Sequence, residues 1–206
     1  MTTAPIPVHA VLLAAGSSTR FGAENKLLAL VEGQPLVART ASRLLATNVS
    51  GVVAVVAAGA EGEAVAAALN GYPVQIAVNP HASRGIGASI ACGASALADT
   101  SAGIMIIPGD MPSLDPALLN RLIAAFQADR SDKIVHPVTQ AGEQRNPVIW
   151  PAWARPDLLQ LDDAKGGKKL LAQHLSRTLT LAASHDGVFE DIDTRDDLER
   201  FANREA

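Results

Sequence analysis

A single cysteine, Cys92, stands in a chain of 206 residues. That excludes an intramolecular disulfide framework and any zinc or iron–sulfur centre built on clustered cysteines, and it fits a reducing compartment. Aromatic residues are nearly as scarce, at 3%, against a hydrophobic content of 48%. Apolar mass carried by Ala, Leu and Val suits helices packed tightly on a sheet better than a sandwich built on aromatics. Positive charge is in deficit: 17 Lys and Arg against 21 Asp and Glu leave a formal charge of -4. The extended basic surface that nucleic acid or an anionic membrane would need is therefore excluded. The opening "MTTAPIPVHAVLLAAG" has no charged leader ahead of its short apolar run, and no later stretch is long and apolar enough to cross a bilayer. Together these absences predict a soluble cytoplasmic protein that catches any anion locally. With no Pro/Gly/Ser linker, low-complexity tract or fixed repeat, residues 1–206 read as one domain.

What is present alternates. Val8 to Ala14, Val52 to Ala58, Val74 to Val78, Ile104 to Ile107 and Lys133 to Val138 are short apolar or β-branched runs closed by Gly, Pro or Asn, as buried strands are. Between them lie helical patterns at Pro35 to Leu45, Glu61 to Leu69 and Gly87 to Leu97. Another follows Asp115, an N-cap before Pro116 at the first helical position, and runs to Ala128. Strands near Asn146 to Trp150 and Thr178 to Ala183 follow, with short helices between. A last helix spans Arg195 to Asn203, with Thr194 as N-cap and Asp197 at the capping-box position. The reading is α/β: a mostly parallel sheet covered by helices on both faces. Ligands of such sheets sit beyond the carboxyl ends of the strands.

The loop "LLAAGSSTRFGAENKLL" occupies such a position. Gly16 permits a sharp turn after the first strand, Ser17, Ser18 and Thr19 offer amides and hydroxyls, Arg20 a forked donor and Lys26 a compact cation. Phosphate is the chemistry these groups fit. Neither the ATPase loop nor the dinucleotide glycine fingerprint matches, since Gly16 and Gly22 are spaced differently and Leu27 stands where a hydroxyl residue would be. "IMIIPGDMPSL" delivers Asp110 to the same sheet edge, either as a hard oxygen ligand for magnesium or as an organiser of the turn before Pro112.

"LAAGSSTRFG" with "NKLL" resembles the signature of the nucleotidyltransferases, and the resemblance extends to "GDMP" and to "FEDIDTRDDL", where Arg195 replaces a proline. Within that group the chain looks most like the molybdenum cofactor cytidylyltransferase branch, because Ala15 stands where the guanylyltransferase branch tends to carry glycine. The resemblance implies a three-layer Rossmann-like nucleotidyltransferase fold. It implies Mg2+ held by Asp110 and Asp193, and Arg20, Lys26 and Asp110 as catalytic groups. Nucleotide contacts would come from Ala14, Ala15, Gly16, Ser17 and Ser18, and from Asn79, Gly85, Gly87 and Ser89 in "NPHASRGIGASIACG". Gly85 and Gly87 equally fit a plain glycine lead into a helix. Asn146 in "RNPVIW" would touch the acceptor.

The implied reaction transfers CMP from CTP to the phosphate of molybdenum-loaded molybdopterin and releases pyrophosphate, with transient contact to a molybdoenzyme or its chaperone. Rival readings are a guanylyltransferase or a sugar or isoprenoid nucleotidyltransferase of the same fold, or a nucleotide-binding domain without catalysis. One stretch departs from the family pattern. "DAKGGKKLL" has Ala164 where an aspartate is expected, leaving Asp162 and Asp163 as neighbours that could substitute. Its lysines 165, 168 and 169 either grip an anionic acceptor or form a solvated face.

Overall fold

The computed structural model describes residues 5–22, 24–98, 102–130 and 132–205. The leader reading at the extreme amino terminus therefore lies partly outside them. Strands β1 (Val8–Ala14), β4 (Gly51–Ala57), β5 (Gln75–Asn79), β6 (Gly103–Pro108), β7 (Ile134–Val138), β8 (Val148–Trp150) and β9 (Thr178–Ala182) form one seven-stranded sheet. Their order is β5-β4-β1-β6-β8-β7-β9. All neighbours are parallel except β8, which runs antiparallel to both β6 and β7. The predicted, mostly parallel α/β sheet is thus observed, with one reversed strand that periodicity does not reveal.

Side chains alternate across each strand, and the alternation sorts the core into two faces. Leu12 and Ala14 of β1 and Met105 and Ile107 of β6 join one cluster with helices α1 (Leu36–Leu45), α2 (Ala60–Ala68) and α4 (Pro116–Ala128). Val11, Ile104 and Ile106 point to the other face. There they meet α3 (Ile86–Ala96), α5 (Arg155–Leu159) and α6 (Gly167–Gln173). Buried on both sides, the central strands read as continuous apolar runs, which is why they were legible.

A third, small cluster was not foreseen. Phe21 from the first loop, Val31, Leu36, and Ile192 and Phe201 around the last helix, α7 (Arg195–Glu205), pack together. Val31 belongs to a two-stranded hairpin of β2 (Leu30–Val31) and β3 (Gln34–Pro35). Its turn residues Glu32 and Gly33 both have positive φ, at 50° and 77°. Two-residue strands are too short to carry a period, so the hairpin escapes pattern reading. At α4 the local signals hold: Asp115 Oδ1 accepts from Ala117 N at 2.9 Å, with Pro116 opening the helix.

One buried base gives the fold a pH dependence. His136 on β7 is 4% exposed, and its Nδ1 faces Pro137 O at 3.2 Å. Burial pushes its pKa down, only partly offset by that carbonyl. Below the ordinary imidazole value of about 6.5, the unfolded chain takes up a proton that the folded chain resists. The stability this residue confers is complete above that pH and falls as pH drops toward the depressed folded value. Urea denaturation at neutral and mildly acidic pH should show a smaller acid loss for His136→Gln than for the wild type; equal losses would remove His136 as the cause.

Among the described residues no helix is long and apolar enough to cross a membrane.

Candidate active site

The chain leaves β1 for β4 on one side of it, while β6 lies on the other, so a crevice opens at the carboxyl ends of β1 and β6. The loop after β1 fills one wall. Ser18 takes a left-handed backbone, with φ of 50°. Its hydroxyl donates to Asn25 Oδ1 at 3.2 Å and accepts from Lys26 N at 3.2 Å. Asn25 Oδ1 also accepts from Leu27 N at 3.0 Å, capping the short turn that begins at Lys26. The Ser18 hydroxyl is therefore committed to shaping the loop rather than to a ligand. Among the described residues the amides of Gly16, Ser17, Ser18 and Thr19 meet no acceptor, leaving a row of donors for an anion.

The opposite wall arrives in two pieces. Gly109 N donates to Leu13 O at 2.9 Å, which sets Asp110 beside the loop. Ile192 N then donates to Asp110 O at 3.1 Å, which draws the distant 191–193 segment onto Asp110. The predicted cap of α7 completes the placement. Asp197 Oδ2 accepts from Thr194 N at 2.8 Å and Asp193 N at 3.2 Å, while Thr194 Oγ1 accepts from Asp197 N at 3.2 Å. Arg195, at the family's proline position, donates to Glu24 Oε2 at 3.0 Å and lies 5.4 Å over the Phe21 ring, tying α7 to the loop.

These walls meet at an ion cluster. Lys26 Nζ donates to Asp110 Oδ2 at 2.6 Å and to Asp193 Oδ1 at 2.9 Å, and Arg20 pairs with Asp193 Oδ2 at 2.7 Å. Burial alone would lower the Lys26 pKa, but the two carboxylates outweigh it and hold the ammonium above its ordinary range. Asp110 Oδ1 is buried with no hydrogen-bond partner among the described residues. An orphaned carboxylate oxygen beside a second carboxylate suits a hard divalent cation such as Mg2+. Among the described residues no three His, Cys, Asp or Glu side chains form a cage of their own. An ion here would thus complete its shell with ligand oxygens and water, as magnesium commonly does.

The cluster borders two chambers. One, of about 650 Å³, runs beneath the loop, and every predicted nucleotide-side residue except Gly87 lines it. On its wall, buried Asn79 Nδ2 donates to Ser89 Oγ at 3.1 Å. The second, of about 1470 Å³, includes Asn146, Trp150 and the lysines 165, 168 and 169. Arg20, Lys26, Asp110 and Asp193 belong to both.

Two expectations need correction. Gly87 faces the chain itself: its N donates to Asp163 O at 2.8 Å, and a Cβ there would stand 2.7 Å from Asp163 N. A Cβ on Gly85 would likewise stand 2.8 Å from Ala164 Cα. The close approach these glycines permit is to residues 163–164, although Gly85 also borders the first chamber. Nor do Asp162 and Asp163 replace the carboxylate missing at Ala164. Asp163 Oδ1 accepts from Lys165 N and Gly166 N, each at 3.0 Å, and Asp162 pairs with Arg84 at 3.1 Å.

Asp191 was missed. Desolvation and then the charges of Asp110 and Asp193 push its carboxyl up, so it belongs to the same electrostatic unit. The signal was present as alternation, with Asp191 and Asp193 flanking buried Ile192.

A mostly parallel sheet with an amide-lined loop after its first strand, facing cations and paired carboxylates at the switch point, is the architecture of α/β proteins that take their ligands beyond the carboxyl ends of the strands. The chain belongs to the MobA-like NTP transferase family, whose domain matches residues 10–178, and is a nucleotidyltransferase by that membership. A protein of Natronomonas pharaonis, named a probable molybdenum cofactor guanylyltransferase, is 34% identical over 94% of this chain and 96% of its own. The bifunctional protein GlmU of Sorangium cellulosum is 38% identical over 61% of this chain, which spans only 28% of that protein. Rv0371c from Mycobacterium tuberculosis has a similar fold, with a TM-score of 0.82 at 24% identity, covering 98% of this chain and 100% of that one.

Proposed function

We propose that the chain transfers CMP from CTP to the phosphate of molybdenum-loaded molybdopterin, with release of pyrophosphate. The observation that carries this reading is the position of Lys26 Nζ, within hydrogen-bond reach of Asp110 and Asp193 on the border of two chambers. A nucleotide in the first chamber and a phosphorylated acceptor in the second would meet at that border. A phosphate oxygen of the acceptor attacks the α-phosphorus in line, the bond to the β-phosphate oxygen breaks, and pyrophosphate departs. The attacking phosphate is already anionic at neutral pH, so positioning and charge neutralisation matter more than a protein nucleophile.

In this scheme the free amides of Gly16, Ser17 and Ser18 hold phosphate oxygens, with Arg20 and Lys26 countering their charge. Asn79, Gly85 and Ser89 contact the base and ribose beside Ala14 and Ala15. Asn146 and lysines 165, 168 and 169 face the acceptor. Asp110 and Asp193 would hold magnesium, which when bound would supply neutralisation of the phosphate charge.

Ala15 favours CTP, since its methyl group takes room that a purine would use. The name of the Natronomonas relative favours GTP instead. Pyrophosphate release with molybdenum-loaded molybdopterin and each of CTP, GTP and ATP separates the two readings. CTP should lead by about tenfold or more, the scale on which one carbon discriminates substrates, and Ala15→Gly should narrow the gap. GTP leading in the wild type would establish the guanylyl reading, and no release with any of the three would leave a binding domain.

A further inference from the structure

The two carboxylates at the chamber border are already engaged by the chain's own cations. Lys26 Nζ touches Asp110 Oδ2 at 2.6 Å and Asp193 Oδ1 at 2.9 Å, and Arg20 takes Asp193 Oδ2 at 2.7 Å. Of the four carboxylate oxygens only Asp110 Oδ1 has no donor among the described residues, and it is buried. A divalent cation drawn to these oxygens therefore competes with an ammonium held in the same place. Like charges so close repel strongly.

We infer that Lys26, assisted by Arg20, is a stand-in for the divalent ion. It holds Asp110 and Asp193 together until a triphosphate draws the ammonium and guanidinium away, and only then are the carboxylates released to the metal. The inference rests on the nucleotide reading above, because the phosphate oxygens are what compensates Lys26 for its lost partners through charge-assisted hydrogen bonds. Its consequence is linkage. Nucleotide must raise the affinity for the metal, and the metal must raise the affinity for nucleotide by the same factor. The side chains are suited to the exchange: Lys26 is 14% exposed and Arg20 74% exposed, so one is held close while the other is free to swing.

Manganese(II) titrations followed by electron paramagnetic resonance, with and without CTP, test this on wild type, Lys26→Met, Arg20→Met and Lys168→Met. Wild type should bind Mn2+ weakly alone and about fivefold or more tightly with CTP, the lower end of typical coupling. Lys26→Met should bind Mn2+ alone about fivefold more tightly than wild type and lose most of the enhancement by CTP. Arg20→Met should move the same way by less, and its exposure makes misfolding no concern should Lys26→Met prove unstable. Lys168 lines the second chamber, and the structure gives it no contact with the carboxylates, so Lys168→Met should leave Mn2+ binding unchanged. Equal Mn2+ affinity of Lys26→Met, Arg20→Met and wild type without CTP, with CTP still enhancing wild type, overturns the inference and leaves the functional reading standing. An equal gain in Lys168→Met also overturns it, since a general loss of positive field would then explain the effect. If neither CTP nor GTP changes Mn2+ affinity or Tm in wild type, the functional reading falls and this inference falls with it.

Discussion

Asp110→Ala is expected to lower the rate of pyrophosphate release by roughly 10² or more, the scale of losing one group that stabilises developing charge. That is about 2.7 kcal/mol of transition-state stabilisation. The variant should nevertheless fold. The contact that draws the 191–193 segment onto this position uses the Asp110 carbonyl, which accepts from Ile192 N at 3.1 Å and survives removal of the side chain. Lys26 keeps Asp193 as a partner at 2.9 Å. Asp110 Oδ1 is buried without a donor among the described residues, a costly state for a carboxylate oxygen. Tm should therefore hold steady or rise while turnover collapses, the pattern of a residue retained for function at the expense of stability. Lys26→Ala should lose turnover on the same scale. Near-normal turnover in either variant, measured by pyrophosphate release at saturating nucleotide, would remove that residue from its role.

Trp150→Ala should give the largest loss of stability, about 3–5 kcal/mol for truncating a buried aromatic. In a chain of this size that corresponds to a fall in Tm of roughly 6–20 °C. Trp150 is 2% exposed, pairs with Ile104 across β6 and β8, and packs with Leu158, Leu170 and Leu171. The first residue of α6 lies against it: a Cβ on Gly167 would stand 3.1 Å from Trp150 Cζ2. The same indole borders the second chamber, so its removal also loosens the helix that carries Lys168 and Lys169. The Michaelis constant for the acceptor should rise in folded Trp150→Ala, while the Tm shift produced by CTP stays that of wild type. Trp150→Phe should recover most of the stability. A loss below about 1 kcal/mol in urea denaturation of Trp150→Ala would mean that the site collapses around the truncation.

Several elements were legible because their causes are local. Strand β1 runs from Val8 to Ala14 as read, since an apolar run buried on both faces ends where Gly16 and the serines begin. Helix α4 starts and stops where Asp115, Pro116 and Ala128 indicated. Where causes are distant, the sequence carries no local sign of them. Nothing near Gly85 and Gly87 in sequence announces that residues 163–164 press against both, so that only Gly85 borders the first chamber. The reversal of β8 between β6 and β7 has the same origin: a three-residue strand carries no mark of its direction. Of the two groups Ser18 offers an anion, only the amide remains available, because its hydroxyl is claimed by Asn25 and Lys26, seven and eight residues ahead, once the loop closes.

By itself the sequence determined the alternation of strands and helices, the caps of α4 and α7, and the placement of a glycine and cation loop after the first strand. Each follows from side-chain periodicity and from hydrogen bonds spanning a few residues. Only the tertiary structure decided that Lys26 sits between Asp110 and Asp193, partners 84 and 167 positions away. It also decided that the border between the two chambers falls there. Such a meeting depends on how a seven-stranded sheet, the Ile192 backbone bond and the small cluster under α7 pack together, and packing is a sum over the whole chain that no single stretch contains.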